Sequence, residues 1–140
     1  MEDQIRDCLG FRISSAYRRV DRLFNRSLKS LGVSHAHAQI LVCLLQDGEM
    51  RLQDVARRTG LDPSCVSRFV KELGRRRLVR RRKDPDDGRA ILVRPAARAN
   101  ALRGAIARVQ DRLNARLRRE LARADLDAFD RVTQVLDALP

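Results

Sequence analysis

Hydroxyl-bearing and cationic side chains recur through residues 62–75 at the spacing of one helical face. At about 100° per residue, this face carries Ser64, Arg68, Lys71 and Arg75. The opposite face carries Val66, Phe69, Val70 and Leu73. Guanidinium, ammonium and hydroxyl groups in one line can donate hydrogen bonds to phosphates and base edges, while the apolar face packs against a core. An ordinary amphipathic surface helix is the alternative interpretation of this pattern.

A second basic segment follows this helix directly. Residues 78–83 and 89–94 carry short runs of Val, Leu and Ile among arginines, and the sequence Asp-Pro-Asp-Asp-Gly separates them at 84–88. Pro fixes φ, Asp bonds nearby backbone and Gly permits positive φ, so a turn between two strands is predicted. Because so many like charges repel one another, this hairpin is predicted to face a polyanion. A solvated loop is the alternative.

Length and charge limit the class of protein. The chain has 140 residues, which suits one domain with its own core, and 44% of them are hydrophobic. Its formal net charge is +12, from 30 Lys and Arg against 18 Asp and Glu. A charge of this size indicates an anionic partner, and double-stranded DNA fits the basic helix and hairpin. No basic segment carries large aromatic residues on its other face, so a membrane partner is not expected.

The sequence indicates no cofactor, metal site or catalytic centre. It contains no phosphate-binding loop, no metal-ligand spacing and no nucleophile with a partner base, so we do not expect an enzyme. Cys8, Cys43 and Cys65 are too widely spaced for a zinc site and are expected to be reduced thiols, with Cys43 in the core. No apolar segment reaches membrane-spanning length and residues 1–4 lack a signal-peptide pattern, so a cytoplasmic protein is predicted.

The remaining pattern supplies the elements that would hold the basic helix in place. In chain order, the predicted elements are a helix over 5–31, a helix over 34–48, a short strand at 50–51 and a helix over 52–59. Ser34 would cap the second helix and Asp62 the basic helix. Two short helices joined by a tight turn and followed by a basic hairpin are typical of a winged helix-turn-helix. Residues 34–95 are therefore predicted to be a DNA-binding domain.

Apolar helices at both ends of the chain exceed what one small domain needs. After Pro95 the pattern predicts a long helix that includes residues 102–121, and then a last helix that Asp125 caps. Residues 1–33 and 96–140 are predicted to form a helical dimerisation region of a two-fold homodimer, which would hold two basic helices about one DNA turn apart. A lid folded within one chain is the alternative.

The predicted fold class follows from these elements. It is mostly α with a small β-hairpin wing, namely a winged helix-turn-helix plus a helical dimerisation domain formed by both termini.

At residues 61–73, 78–81 and 84–90 the chain resembles the MarR family of bacterial transcription regulators. Residues 84–90, Asp-Pro-Asp-Asp-Gly-Arg-Ala, match the family's D-P-x-D-x-R-A wing, and the three segments keep the family's order and spacing. The resemblance extends over almost the whole chain. It implies a homodimer that binds a short inverted repeat, usually as a repressor, and that a small ligand or oxidation releases.

The resemblance also implies roles for individual residues. By matching position, the residues that would meet the major groove or its phosphates are Ser64, Cys65, Ser67, Arg68 and Lys71. Gln53 would touch the DNA backbone. Arg89 at the wing would enter the minor groove, and Asp87 would hold its side chain by a charge-assisted bond. A turn-forming carboxylate is the alternative for Asp87. Arg75 belongs to the set through its place on the basic face.

The chain departs from the family pattern at a few positions. Arg77 stands where the family commonly has Gly, just after the basic helix, and a left-handed backbone there would cost Arg about 1 kcal/mol. A slightly longer helix is the alternative. Pro95 and Ala96 replace the family's Leu-Thr, and Ala99 replaces a Gly, so Pro95 can start the next helix but the Thr cap is lost.

The resemblance implies a signal as well as a DNA target. Many family members bind a small aromatic or phenolic anion between the dimerisation helices and the winged domain, a region that Arg12, Tyr17, His35 and His37 would line here. His35 and His37 point about 200° apart on a helix, so they cannot bind one metal together, and structural histidines are the alternative. Some relatives sense peroxide through a Cys in the first helix, where this chain has Cys8.

A second function class has the same charge signature. An architectural protein that coats DNA with little sequence preference would also be strongly basic. The ratio of specific to non-specific affinity at fixed salt separates the two classes.

Overall fold

The computed structural model describes residues 3–140, so the first two residues of the predicted terminal region lie outside it. The helices are α1 (Gln4–Asp7), α2 (Leu9–Leu28), α3 (His35–Asp47), α4 (Leu52–Thr59), α5 (Pro63–Arg75), α6 (Ala97–Glu120) and α7 (Arg123–Ala138). The strands are β1 (Met50–Arg51), β2 (Val79–Lys83) and β3 (Ile91–Pro95). The predicted fold class, mostly helical with a small wing, is confirmed.

The wing belongs to a three-stranded antiparallel sheet with the order β1-β3-β2. Val93 in the middle strand lies opposite Met50 on one side and Arg81 on the other. The short strand predicted at residues 50–51 is therefore real, and it ties the hairpin to the helices before it. Because β1 leads straight into α4, the sheet fixes the wing relative to the helix-turn-helix.

The core forms where the apolar faces of the helices meet. Fully buried side chains come from every part of the winged domain and from both flanking helices: Leu28, Ile40, Leu41, Leu44, Val55, Val66, Val70, Leu73, Leu78, Val93 and Ile106. Caps set the helix starts, because Ser34 Oγ accepts the N–H of His37 and the Asp62 carboxylate accepts the N–H of Ser64. Gly60 ends α4 in the left-handed conformation.

The predicted continuous helix over residues 5–31 is wrong in detail. Helix α1 ends at Asp7, Cys8 is extended (φ −76°, ψ 113°), and a new helix begins at Leu9. The last turn, Lys29–Leu31, is a 3₁₀ helix. Asp3 accepts the N–H of Arg6 and so caps α1 separately. A break of one residue does not disturb the spacing of apolar side chains, which is why the periodic pattern did not reveal it.

Two predicted helix starts need correction. Asp125 is the third residue of α7 rather than its cap, and its carboxylate accepts the N–H of Ala122 (2.8 Å). Pro95 is the last residue of β3, paired with Val79, so it does not start a helix. Ala96 precedes α6 without a side-chain cap, as the loss of the family's Thr predicted.

The terminal helices leave apolar side chains uncovered. Helix α7 buries none of its residues, and Phe129 in its middle is 69% exposed. The other large apolar side chains exposed on the two ends of the chain include Ile5, Leu9, Phe11, Val132, Val135, Leu136 and Leu139. The alternative of a lid within one chain is therefore wrong for α7, because a lid would bury this face.

Among the described residues, no single helix combines the length and apolarity needed to cross a membrane. Within residues 3–140, one pair of helical segments, Leu9–Leu31 and His35–Asp47, is long and apolar enough when taken together, but it is bent by 73°.

The turn after α5 requires a left-handed residue, and Arg77 occupies it with φ +58°. The N–H of Arg77 bonds the carbonyl of Gly74, and the N–H of Leu78 bonds the carbonyl of Leu73, which is the Schellman arrangement. The alternative of a longer helix is wrong, since α5 ends at Arg75.

We predict that Arg77→Gly stabilises the protein. A left-handed non-glycine residue costs about 1 kcal/mol, part of which Gly loses again through unfolded-state entropy, so a gain of about 0.5 kcal/mol is expected. Thermal unfolding should shift upward by about 2 °C. Arg112→Gly, on an exposed helical position of α6, is the control and should lower stability by about 1 kcal/mol. An equal loss of thermal stability in both variants would contradict the left-handed conformation of Arg77.

Candidate nucleic-acid interface

Helix α5 presents a basic face to solvent because its other face completes the core. Val66, Val70 and Leu73 are fully buried, and Phe69 is packed at the edge of the same cluster. The predicted outward set, Ser64, Arg68, Lys71 and Arg75, is exposed throughout. The helical spacing thus predicted the orientation of α5 correctly.

Among residues 3–140, the cations of this face have no carboxylate partners. In the part of the chain that the structure describes, no Asp or Glu oxygen lies within 4.0 Å of the charged groups of Arg68, Lys71 or Arg75. Other arginines nearby are engaged, since Arg57 pairs with Asp54 and Arg58 with Asp47. Unpaired guanidinium and ammonium groups keep their donors for an external anion.

The remaining predicted contact residues of the helix-turn-helix differ in exposure. Gln53, the second residue of α4, is exposed, whereas Cys65 and Ser67 are half-buried. The Ser64 hydroxyl donates to the Asp62 carboxylate, which also accepts the Ser64 N–H. The hydroxyl bond, followed by the backbone bond, lowers the pKa of Asp62. Ser64 is therefore held to the helix cap and offers its oxygen as an acceptor.

Two ion pairs anchor the wing, and the hairpin supplies the cation in one and the carboxylate in the other. Neither pair was identified from the sequence. Arg82 on β2 donates to Glu49 (2.7 Å), and Arg51 on β1 donates to Asp84 (2.6 Å). Asp84 is only 5% exposed, although it lies in a turn that composition alone marks as solvated. The partners are 33 residues apart in sequence, so no local signal links them.

Asp84 organises the wing turn through its own backbone as well. Its carboxylate accepts the N–H of Asp86 (2.9 Å), and this bond, opposed by desolvation and aided by Arg51, lowers the pKa of Asp84. Because the folded pKa lies below the unfolded one, this contribution is present at neutral pH and is lost as the pH falls below about 4.

We predict that Asp84→Asn loosens the wing and weakens DNA binding. The substitution leaves the Arg51 guanidinium without a charged partner, so the wing tip should show faster amide exchange and the complex should weaken by about threefold to tenfold. Asp86→Asn removes the same charge from an exposed position of the turn and is the control. If both variants bind DNA alike, the anchoring role of Asp84 is wrong.

Asp87 and Arg89 are joined through the backbone, not through their side chains. The Asp87 carboxylate accepts the N–H of Arg89 (3.1 Å), and no oxygen of Asp87 lies within ion-pair distance of the Arg89 guanidinium. The predicted charge-assisted bond to the long side chain is therefore corrected to the turn-forming alternative. The short carboxylate reaches the adjacent N–H first, and exposed Arg89 keeps its guanidinium free.

The four predicted ligand residues are not gathered in one cavity. Arg12 lines an open groove of about 510 Å³ on α1 and α2, together with Phe11 and Arg19. Tyr17 lies outside this groove and is half exposed, and burial, followed by the nearby Asp21 carboxylate, raises the pKa of its phenol.

His35 and His37 are engaged in contacts between helices. His35 is buried, stacks on Phe24 with the ring centroids 4.4 Å apart, and bonds Asp21 through Nδ1 (3.0 Å). His37 Nε2 bonds Glu72 (2.8 Å). These contacts match the alternative that both histidines are structural.

The three cysteines lie in different surroundings. Cys43 is buried in α3, as predicted, and its Sγ lies 3.5 Å from the sulfur of Met50. Cys8 is exposed at the start of α2, and Cys65 is half-buried on α5. Within residues 3–140, no three His, Cys, Asp or Glu side chains lie close enough to hold a metal ion.

Comparisons with known proteins agree with this geometry. A model described as the MarR family matches residues 33–91. The uncharacterized HTH-type transcriptional regulator YdgJ of Bacillus subtilis is 32% identical over 63 residues, which are 45% of this chain and 38% of the length of that relative.

Solved structures resemble the whole chain. Bordetella bronchiseptica BpsR, whose DNA binding is regulated by 6-hydroxynicotinic acid, is 21% identical with a TM-score of 0.84, over 100% of this chain and 99% of its own. A mutant of MarR from E. coli complexed with operator DNA is 20% identical with a TM-score of 0.82, over 100% of both chains. These two likenesses establish the fold.

Proposed function

Since the chain belongs to the MarR family of transcription regulators, we propose that it is a repressor that binds an inverted-repeat operator as a homodimer. The observation that carries the proposal is the line of cations on α5, unpaired within the described part of the chain, beside an anchored basic wing. Helix α5 would enter the major groove with Arg68, Lys71 and Arg75, and Arg89 would reach the minor groove. Gln53, Ser64, Cys65 and Ser67 would complete the contacts, with Asp87 shaping the wing turn.

Uncovered apolar faces support the homodimer. The exposed side of α7, centred on Phe129, and the exposed sides of α1 and α2 need cover that one chain does not supply. Their charges also complement each other, because α7 has four Asp against two Arg whereas α2 has five Arg against one Asp. We therefore propose that residues 1–33 and 96–140 of two chains interlock, with α7 of one against α2 of the other.

The experiment that tests the function is selection of duplexes from a random library by the purified protein. A repressor of this type should enrich an inverted repeat whose half-sites lie about one helical turn apart. Hydroxyl-radical footprinting of the enriched duplex should then show two protected half-sites. Enrichment of single half-sites, or of no sequence, would contradict the proposal.

A release signal forms part of the proposal. The groove at Arg12, with Phe11 as an apolar wall, supports a small aromatic anion, and the exposed thiol of Cys8 supports oxidation. Release of DNA by 6-hydroxynicotinic acid that Arg12→Ala abolishes would support the anion. Release by hydrogen peroxide that Cys8→Ser abolishes would support oxidation. If neither compound releases the DNA, both proposed signals are wrong.

A DNA-coating protein with little sequence preference is the second candidate. A large positive charge on α6, away from α5, favours this candidate. The helix has only two acidic residues, Asp111 and Glu120, and its exposed arginines include Arg103, Arg108, Arg112, Arg116, Arg118 and Arg119. Such a protein would enrich no particular duplex.

A further inference from the structure

The first turn of α3 joins the dimerisation helix α2 to the DNA-facing helix α5. Side chains two positions apart on a helix point about 200° from each other, so neighbouring histidines reach opposite sides. His35 reaches α2, where it bonds Asp21, and its backbone N–H donates to Asn25 (2.7 Å). His37 reaches α5, where it bonds Glu72.

The hydrogen bonds of His37 define its tautomer. The backbone N–H of Ser34 donates to His37 Nδ1 (3.3 Å), so that nitrogen carries no proton. The ring proton is therefore on Nε2 and is donated to the carboxylate of Glu72 (2.8 Å). His37 thus holds both the cap of α3 and an acidic side chain of α5.

Glu72 lies within intrahelical reach of Arg68. The two residues are four positions apart on α5, a spacing at which acidic and basic side chains pair on helices. Among the described residues, however, Glu72 is paired with His37 and Arg68 has no acidic partner. The Arg68 guanidinium lies over the ring of Phe69 instead, 4.8 Å from its centroid.

Phe69 is itself held by His37. The two rings meet edge to face with their centroids 5.2 Å apart. His37 therefore acts on Arg68 in two ways. It engages the carboxylate of Glu72, which would otherwise compete for the guanidinium, and it orients the Phe69 ring on which the guanidinium lies.

We propose that His37 is a positioning residue for DNA binding, which keeps Arg68 available to DNA by engaging Glu72. The proposal rests on the proposed function, in which Arg68 contacts the operator. Without the imidazole, Glu72 is free to pair with Arg68, and DNA must then break that pair. A surface pair of this kind corresponds to about a threefold loss of affinity, largest at low salt.

The test is a double-mutant cycle measured on the duplex that the wild-type protein selects. His37→Asn is the informative change, because the Asn side chain keeps an acceptor near the position of Nδ1 for the Ser34 N–H but lacks Nε2. We expect it to weaken binding about threefold in the wild-type background and by clearly less when Glu72→Gln is also present, because only the contact with Phe69 is then lost. His35→Asn applies the same change two positions earlier, where the side chain contacts Asp21 and not Glu72, so its effect on DNA affinity should be the same with and without Glu72→Gln.

Thermal unfolding of each variant keeps effects on stability separate from effects on binding. An equal loss with and without Glu72→Gln would overturn the proposal, as would a ¹⁵N spectrum showing the proton of His37 on Nδ1. If the wild-type protein does not prefer its selected duplex over a scrambled one, the proposed function fails and the role of His37 fails with it. If the wild-type protein does prefer its selected duplex but the effects of the two substitutions are additive, the proposed function stands and only the proposed role of His37 is wrong.

Discussion

Replacing Phe129 with aspartate is expected to yield a monomer that has lost specific operator binding. Phe129 is the most exposed large apolar side chain of α7, on the face that we assign to the dimer. A carboxylate there would have to be buried among apolar side chains of the interface, at a cost of several kcal/mol. A monomer can occupy only one half-site, so affinity for the full inverted repeat should fall by at least about a hundredfold.

Sedimentation equilibrium and DNA titration on the same sample measure both effects. Gln134→Asp is the matched control, because it adds the same charge to an exposed position of α7 away from Phe129 around the helix. A Phe129→Asp protein that remains dimeric, or that binds the full repeat as a monomer with undiminished affinity, would contradict the proposed assembly.

Replacing Arg68 with alanine is expected to weaken specific binding by about 1–3 kcal/mol and to relax preference at one or two base pairs. Arg68 is exposed, unpaired among the described residues and supported by Phe69, so its guanidinium can face base edges without first breaking an ion pair. The fold should be unaffected, because the side chain lies outside the core.

The measurement is affinity for the selected duplex and for its single-base variants. Arg116→Ala removes the same charge from the exposed surface of α6 and serves as the control. It should weaken binding little and leave the pattern of base preference intact. Unchanged affinity and preference in Arg68→Ala would mean that α5 is not the recognition helix.

The orientation of α5 could be predicted from the sequence because one periodic property determines it. Burial of Val66 and Leu73 on one side forces Arg68 and Lys71 outward, whatever the rest of the fold does. The left-handed position at Arg77 was also predictable, since a turn after a helix has few backbone solutions.

Contacts between distant segments could not be predicted in this way. Asp84 reads as a turn former, and nothing near it in sequence indicates that Arg51 will hold it. His37 gave no sign of bonding Glu72, which lies 35 residues away on another helix. Local patterns report which side of an element is buried, but partners across the fold depend on packing that they do not encode.

The central claim is sequence-specific binding by a basic helix and wing held in duplicate. Its most direct test is the ratio of dissociation constants for the selected inverted repeat and a scrambled duplex of equal length and composition, both at about 0.15 M salt. Our account predicts at least a roughly thousandfold preference for the inverted repeat. Equal affinity for the two duplexes would contradict it and would identify a protein that coats DNA.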